Sequence, residues 1–533
     1  MESLLELHDI QGNIIKAYGR FGFPKARFIF YHINQGWIGR EFVKSLAPSI
    51  TTSAPWMEHS QIPPVATNIA FTYQGLKHLK VPDSTLHGFP EEFAMGMMAR
   101  RDILGDSGPS APRSWDPIWN AESDQPVHIL VAINGRTIED VERRYQEIID
   151  LQEAANRKAG QGDGQEAGIV QLTGHRDELG AESPYQDAAA LEKNGKTVPE
   201  EHFGYMDGIS DPFFKGSGAH ASNVIGGGKP TGGDPSTKEG WAPLETGEFL
   251  LGHKDEASEY PKAPMPPLFS HNGTFMVYRK LHQNVGSFNK FLSAAGSRFP
   301  GGAEALAAKF AGRWRNGAPL TTFPTWEEAD SFTRDLDAAQ AKAHGPNPTA
   351  EDKAYFETLV TKLNAFDYGE DLAGANCPRG AHIRRTNPRS SLEFGVQGAF
   401  DTTGALSNRR RILRRGLPYG KTSDDDKGNH GIILMILNAD IGRQFEFVQQ
   451  QWINFGNDFR LANDRDPLLG NHAMDADPQM SGRMIIEGDA ASGRPPYFCR
   501  GIPTLVETRG GDYFFVPSLT ALRMIGKGII DPT

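Results

Sequence analysis

Three short segments of the chain combine residue types that could do chemistry on a small reactive molecule. The first is GYMDGISDPFF (204–214), in which Asp207 stands between Met206 and Gly208. An Asp-Gly pair usually marks only a turn, but the neighbouring aromatic residues and a second acid, Asp211, favour an ordered, partly buried turn. Aspartate is also a residue type that transfers protons in enzymes. Proton transfer and a plain turn are therefore both open for Asp207.

The second segment, ANCPRGAHIRRTNPR (375–389), sets one histidine, His382, among four arginines. A zinc site would need further Cys or His residues at short spacing, whereas Cys377 and His382 supply only two candidate ligands. The Cys-x-x-Cys-His signature of covalently attached haem is also absent, so a haem at this place would be held non-covalently. A purely structural histidine is the alternative.

The third segment, SNRRRILRRGLPYG (407–420), adds five arginines, so nine arginines and no lysine lie between residues 379 and 415. A preference for arginine over lysine fits planar recognition of carboxylates or phosphates. The two propionates of a porphyrin would qualify. A solvated basic face, or a patch for an acidic partner, is the other interpretation.

Composition limits the classes of protein to consider. The 533 residues are 38% hydrophobic and 23% charged, which is ordinary for a folded chain long enough for two or more domains. The net charge of −11 argues against nucleic acid as a partner. Two cysteines suit a reducing compartment. The acidic N-terminus lacks a secretory pattern, and the longest apolar run (431–437) is too short for a membrane helix, so we expect a cytoplasmic location and no membrane partner.

Strands and helices must position these segments. Branched and aromatic runs predict strands, and apolar residues at three- and four-residue steps predict helices. Without a Gly-rich phosphate turn between a strand and a helix, antiparallel α+β is favoured over a nucleotide-binding sheet. A small-residue stretch (216–233) suggests domains at 1–225 and 247–533, joined by a linker at 226–246. The strands are predicted at 26–33, 127–133, 247–252, 273–281, 431–437 and 512–517, and the helices at 140–157, 328–342 and 351–364.

At this point the ordered motifs resemble those of the dye-decolorizing peroxidases, a family of haem enzymes, along nearly the whole chain. The resemblance implies two ferredoxin-like domains with antiparallel sheets, with haem held mainly by the C-terminal domain, and it places the chain in the longer subgroup of bacterial and fungal members. The motifs that carry it are DIQGN (9–13), GYMDG (204–208), GEFLLG (247–252), GTFMVYRKL (273–281), GRWRNGAPL (312–320), AHIRRTNPR (381–389), ILRRGLPYG (412–420), QFEFVQQQW (444–452) and DYFFVP (512–517).

The resemblance also implies roles for three residues. Asp207 matches the distal acid-base group, which moves a proton between the two oxygens of peroxide so that a ferryl intermediate can form. Arg414, with Arg415 as close competitor, matches the distal arginine that stabilises the anionic hydroperoxide. His382 matches the axial ligand, which makes it the metal-binding residue. Because an aspartate is ionised even in mild acid, we expect a turnover optimum on the acid side of neutral.

Five further residues are candidates for holding the cofactor. Glu446 is a candidate carboxylate partner of the His382 ring, with a solvated helix face as the alternative. Arg384 and Arg389 are candidates for the propionates. Leu417 and Phe515, with Phe514 beside it, are candidates for the cavity wall, although such aromatics are more often ordinary core.

The resemblance implies one non-covalent haem b per chain, hydrogen peroxide as oxidant and a bulky aromatic reducing substrate such as a dye or phenol. The sequence leaves monomer or homodimer open. Three alternatives remain: a haem carrier or sensor with little turnover, another haem-handling activity such as chlorite decomposition or iron release, and a metal-free module that binds an acidic partner. Asp207 and Arg414 together argue against the carrier.

Overall fold

One antiparallel sheet of nine strands runs through the computed structural model, which describes residues 5–120, 123–158, 167–177, 179–218, 223–392, 403–474, 482–489 and 492–530. The strands are β1 Lys25–Ile33, β2 Val65–Phe71, β3 Ile129–Gly135, β4 Ile169–Gln171, β5 Gln186–Ala189, β6 Thr274–Gln283, β7 Leu413–Tyr419, β8 Gly431–Asn438 and β9 Val506–Val516. Four two-stranded ribbons stand apart from this sheet.

The strand order divides the sheet into two similar halves. The order is β7-β8-β6-β9-β2-β3-β1-β4, and β5 pairs with the same strand, β1, as β4 does. Within each half, the first strand in the chain lies between the third and the fourth, which is the ferredoxin-like arrangement. One residue pair, Phe71 with Phe515, joins the halves. The predicted α+β class is confirmed, whereas the boundaries at 225 and 246 stay predictions.

The helices pack around this sheet and begin where the sequence supplies caps. Thr325 and Thr349 each form a capping box, with Glu328 and Asp352 respectively, at the start of the two helices that the sequence predicts at 328–342 and 351–364. The main helices are α1 Gly36–Leu46, α2 Ile138–Lys158, α3 Val285–Gly296, α4 Gly302–Ala311, α5 Trp326–Ala343, α6 Ala350–Lys362, α7 His382–Thr386 and α8 Leu519–Lys527.

One predicted strand is wrong. Residues 247–252 form tight turns instead of a strand. Phe249, Leu250 and Leu251 are fully buried in the core, and the Glu248 carbonyl accepts a hydrogen bond from the Gln444 amide. A short buried apolar run has the same composition in a turn as in a strand, so the sequence does not separate the two.

The last strand is longer than predicted, because β9 begins at Val506, ahead of two glycines. Gly510 has φ +136°, and a Cβ there would lie 2.0 Å from Cδ1 of Trp119. Only glycine fits under that indole ring, so the glycine pair permits close packing within the strand. The register of β9 against β6 shifts beside this position.

The core lies against both faces of the sheet. Eight of the nine residues of β1 are buried, which explains its nearly continuous apolar sequence. Cys377 and Cys499 are both buried and free, so they do not pair. In the part of the chain that the structure describes, every helix is too short or too polar to cross a membrane.

Candidate active site

A large cavity lies on one face of the β7-β8-β6-β9 half of the sheet. Side chains point alternately to the two faces of a strand, so Ile432, Leu434 and Ile436 of β8 face the cavity together. Phe445 and Val448 close another side, from the π-helical segments Gly442–Glu446 and Val448–Ile453. Apolar walls therefore alternate with polar and charged side chains around the cavity, which is a composition suited to a cofactor or ligand site.

Asp207 lines this cavity from a turn whose backbone is fixed at several points. Its N–H donates to the Pro199 carbonyl at 2.7 Å, and the Met206 N–H donates to the Arg315 carbonyl at 2.9 Å. Gly208 follows with φ +78°, and its N–H donates to Oδ1 of Asp207 at 2.7 Å. The expected ordered turn is present, and it directs a half-exposed carboxylate at the cavity.

The structure brings Arg414 and not Arg415 to Asp207. Nη1 of Arg414 lies 3.2 Å from Oδ1 of Asp207, and both side chains line the cavity. Arg415 is the next residue in β7 and therefore points to the other face of the sheet, where it binds the Asn13 and Ile14 carbonyls and Asp211. Strand alternation thus separates two arginines that the sequence alone leaves equivalent.

His382 lines the same cavity as the first residue of α7. Its Nδ1 lies 2.9 Å from Oδ2 of Asp466. A ring N–H that donates to a carboxylate fixes the tautomer, so that Nε2 keeps its lone pair for a metal ion. The arrangement of His382 and Asp466 is therefore that of an axial histidine with its supporting carboxylate.

Asp466 is itself rigidly held. Its Oδ1 accepts the N–H groups of Leu468 and Leu469, both at 2.9 Å. Burial acts to raise the pKa of Asp466, but its interactions with His382, Arg385 and the Leu469 N–H outweigh burial and hold this pKa below its ordinary value. The carboxylate therefore stays charged through neutral and mildly acidic pH, where it supports the His382 ring.

The expected role of Glu446 is wrong. Glu446 binds Arg100 through both carboxylate oxygens, with Nε at 2.9 Å from Oε1, and Oε1 also accepts the Tyr513 hydroxyl at 2.8 Å. It is buried, so the solvated helix face is wrong as well. The carboxylate beside His382 is Asp466. Glu446 instead forms a structural ion pair with Arg100 behind Phe445.

Three buried arginines give the cavity a positive wall. Arg411 donates to the Gly227 and Gly228 carbonyls, Arg389 donates to the Asn364 and Gly226 carbonyls, and Arg313 donates to the carbonyls of Gly317 and Leu363. Burial lowers the pKa of all three guanidinium groups, and for Arg313 and Arg411 the charge of Arg389 adds to this effect. The backbone carbonyl oxygens that accept these hydrogen bonds carry only partial negative charge, so an anion in the cavity would stabilise the three guanidinium groups.

These residues fit a haem. His382 faces a cavity lined on several sides by apolar residues, and the buried arginines could offer their charge to two propionates. Arg389 lines the cavity as expected. Arg313 and Arg411 line the cavity as well. They lie in the segments GRWRNGAPL (312–320) and SNRRRILRRGLPYG (407–420), but only the tertiary structure brings them close to Arg389.

Three expected cofactor contacts are wrong. Arg384 is fully buried beside the cavity wall, where Nη1 donates to the Cys377 carbonyl and the guanidinium lies over the Tyr368 ring. Leu417 pairs with Ile433, so it points to the opposite face of the sheet from Leu434. Phe515 packs among core aromatics, and its ring contacts those of Phe89, Phe269 and Phe275. Phe514, the preceding residue in β9, points to the opposite face of the sheet.

Comparison with known proteins agrees with this geometry. Residues 9–166 match the family model described as the DyP dimeric alpha+beta barrel domain. Among curated proteins, Peroxidase 2 of Mycetinis scorodonius is 27% identical over 97% of this chain and 87% of its own length. The Multifunctional dye peroxidase DyP2 of an Amycolatopsis species is 26% identical over 98% of this chain and 97% of its own length.

Solved structures match over the same extent. An ancestral D-type dye decolorizing peroxidase superposes with a TM-score of 0.70 at 27% identity, covering 98% of this chain and 99% of that one. At this coverage the match includes both halves of the sheet. Over nearly its whole length the chain is therefore similar to dye-decolorizing peroxidases.

Proposed function

We propose that the chain is a haem-dependent peroxidase that reduces hydrogen peroxide and oxidises dyes, phenols or other bulky aromatic donors. The observation that carries the proposal is that the Asp207–Arg414 pair and the His382–Asp466 pair line one cavity with buried arginines. One haem b per chain, held non-covalently, is the cofactor that these residues would bind. When bound, it supplies an iron that can take up two oxidising equivalents from peroxide.

Each residue has a distinct task in this proposal. His382 would hold the iron through Nε2, while Asp466 orients the ring. Arg389, Arg411 and Arg313 would bind the propionates. Asp207 would accept a proton from one oxygen of peroxide and donate it to the other. Arg414 stabilises the negative charge that develops on the peroxide, since its own proton stays in place.

The reducing substrate is proposed by class from the relatives. The curated relatives include dye-decolorizing peroxidases, and one solved neighbour is a dye-decolorizing peroxidase in complex with 2,6-dimethoxyphenol. Electron-rich aromatic molecules are therefore the donors to test first.

The deciding experiment is a haem titration followed by peroxide. Adding haem to the purified chain is expected to give a Soret band that saturates at one equivalent, and peroxide is then expected to be consumed in the presence of 2,6-dimethoxyphenol. A Soret band without peroxide consumption would favour a haem carrier or sensor. Failure to bind haem would reject the proposal and favour the alternative of a metal-free module that binds an acidic partner.

Arg414→Leu is expected to slow peroxide reduction about 10²-fold, because the guanidinium is the fixed cation beside Asp207. Haem binding is expected to persist, since the propionates are bound by other arginines. Arg415→Leu is the matched control: it removes a neighbouring arginine on the other face of β7. Stopped-flow mixing with peroxide would compare the two, and a larger loss in the Arg415 variant would contradict the assignment.

A further inference from the structure

A second carboxyl group, Glu201, lines the same cavity as Asp207. Its Oε1 accepts the Tyr205 N–H at 2.9 Å, and its Oε2 accepts the Phe203 N–H at 2.9 Å. The Gln283 side-chain amide of β6 donates to Oε2 as well. Glu201 therefore connects the turn that carries Asp207 to the sheet that forms the cavity.

The backbone of the turn closes around this carboxyl. The Gly204 N–H donates to the Glu201 carbonyl at 2.8 Å, and the Glu201 N–H donates to the Tyr205 carbonyl at 3.1 Å. Gly204 has φ +85°, a conformation that glycine adopts without strain. Asp207 follows Tyr205 by two residues, so the direction of its side chain depends on the two amides that Glu201 holds.

We propose that Glu201 is a positioning residue for peroxide reduction: its carboxyl group fixes the turn that carries Asp207, and its charge acts on the same cavity. This inference rests on the proposed peroxidase function. Glu201 acts through Asp207 and through the electric field in the cavity, so its role differs from that of the proton-transferring group itself.

Ionisation of Glu201 gives this role a pH dependence. Burial raises the pKa of Glu201 to about 7, and the negative charge of Asp207 adds to that effect, although the hydrogen bonds from Gln283, Phe203 and Tyr205 act against it. Two cations lie near this turn: Arg315, whose guanidinium lies over the Tyr205 ring, and Arg414, beside Asp207. Glu201 is thus mostly neutral below pH 7 and mostly charged above it.

The sign of the effect follows from the charges. A neutral carboxyl group keeps acceptor capacity on its oxygens, so the turn can stay anchored below pH 7. Above pH 7 a second negative charge faces the cavity, and it opposes the negative charge that develops on peroxide. Peroxide reduction is therefore expected to decline as the pH rises through about 7.

The test compares Glu201→Gln with Glu200→Gln in the haem-loaded full chain. Glu200 is adjacent but pairs with Lys193, so its variant controls for a lost carboxylate in the same loop. Glutamine cannot accept all three hydrogen bonds and cannot ionise. For Glu201→Gln we expect kcat/KM for peroxide to fall about tenfold at pH 5, and the decline near pH 7 to disappear. For Glu200→Gln we expect neither change.

A second measurement is independent of turnover. Infrared spectra of protonated carboxyl groups, recorded against pH, are expected to show one group titrating near 7 that is missing in Glu201→Gln. In Asp207→Asn this titration is expected to move to lower pH, because the neighbouring charge is gone. An undiminished titration near 7 in Glu201→Gln, or one that Asp207→Asn leaves unmoved, would overturn the inference; Asp512, whose pKa burial raises to about 6, is expected to titrate in every variant.

The two proposals can fail separately. If the wild type binds haem and does not reduce peroxide, the proposed function fails while the infrared titration still reports on Glu201. If Glu201→Gln does not fold, Gln283→Leu removes the amide donor alone and is expected to move the Glu201 titration further upward. An unmoved titration in that variant would count against the inference.

Discussion

Asp207→Asn is expected to lower kcat/KM for hydrogen peroxide by about 10²- to 10⁴-fold, which is the range that a positioned acid-base group contributes. Asparagine has nearly the same shape, and its side-chain oxygen can still accept the Arg414 and Gly208 donors that hold Asp207. It cannot take a proton from peroxide. The variant should therefore keep the turn and the bound haem, and lose the reaction with peroxide.

Stopped-flow absorbance after mixing with peroxide would measure this loss, and the Soret band would verify that haem is retained. Asp211→Asn is the matched control, because Asp211 lies in the same segment but pairs with Arg415. We expect its rate to stay within about threefold of the wild type, as for most substitutions away from a reacting group. A fast Asp207→Asn enzyme would place the acid-base function elsewhere, with Glu201 as the first residue to test.

A short motif is sufficient to identify a candidate site residue when the motif itself surrounds that residue. Asp207 lies in a turn whose glycines and aromatics are adjacent in sequence, and His382 lies in a distinctive nine-residue motif. Their meeting in one cavity depends on the fold. The strands that build this fold are readable from branched and aromatic runs, as in β6 and β8, because burial on both faces leaves a continuous apolar signal.

Partners that are distant in sequence could not be predicted in the same way. Asp466 follows His382 by 84 residues and belongs to a loop without periodic structure. Glu446 lies in a motif that is easier to recognise than the loop around Asp466, yet its carboxylate pairs with Arg100, which is 346 residues earlier in the chain. Since a buried carboxylate binds whichever cation the fold brings to it, local sequence does not decide between such candidates.

The cavity wall shows a second kind of limit. The prediction that Leu417 lines the cavity is wrong because a strand presents alternate residues to opposite faces. Leu417 pairs with Ile433 of β8 and points away from the cavity. Phe515 is paired with Phe275 at the end of β9 that joins the two halves of the sheet, where other aromatic rings cover it. Leu434 and Ile436 could have been chosen instead, because strand alternation places them on the same face of the sheet as Arg414 once the pairing of β7 with β8 is known.

The arginine-rich region is only partly explained by an anionic cofactor. Arg385 is fully buried and donates to the carbonyls of Gly380, Trp452, Phe455 and Asp464. It therefore fixes the loops that carry Asp466 and supports α7 from behind. The five donors of one guanidinium allow this, whereas a lysine ammonium has three. Recognition of an anion and anchoring of loops both select arginine over lysine, so composition predicted the residue type without separating the two roles.

His382→Ala is expected to weaken haem binding by more than about 100-fold, because even the loss of a supporting group costs a metal site 10- to 100-fold. Loss of the ring removes the expected axial nitrogen, while the arginines that we propose as partners of the propionates remain. Any haem that still binds should show a changed Soret band and should recover with added imidazole, which can occupy the space of the missing ring. Haem titration followed by absorbance would measure both effects.

The carboxylate behind the histidine provides the matched comparison. Asp466→Asn removes the charge that accepts the Nδ1 proton of His382 and is expected to weaken haem binding by about 10- to 100-fold. Glu446→Gln removes a buried carboxylate that pairs with Arg100, so it is expected to lower the free energy of unfolding while the Soret band stays unchanged. The opposite pattern, with altered ligation only in the Glu446 variant, would contradict the assignment of Asp466. A variant of His382 that bound haem with an unaltered spectrum would contradict the axial role of His382 itself, since the iron would then have found its ligand on another side chain.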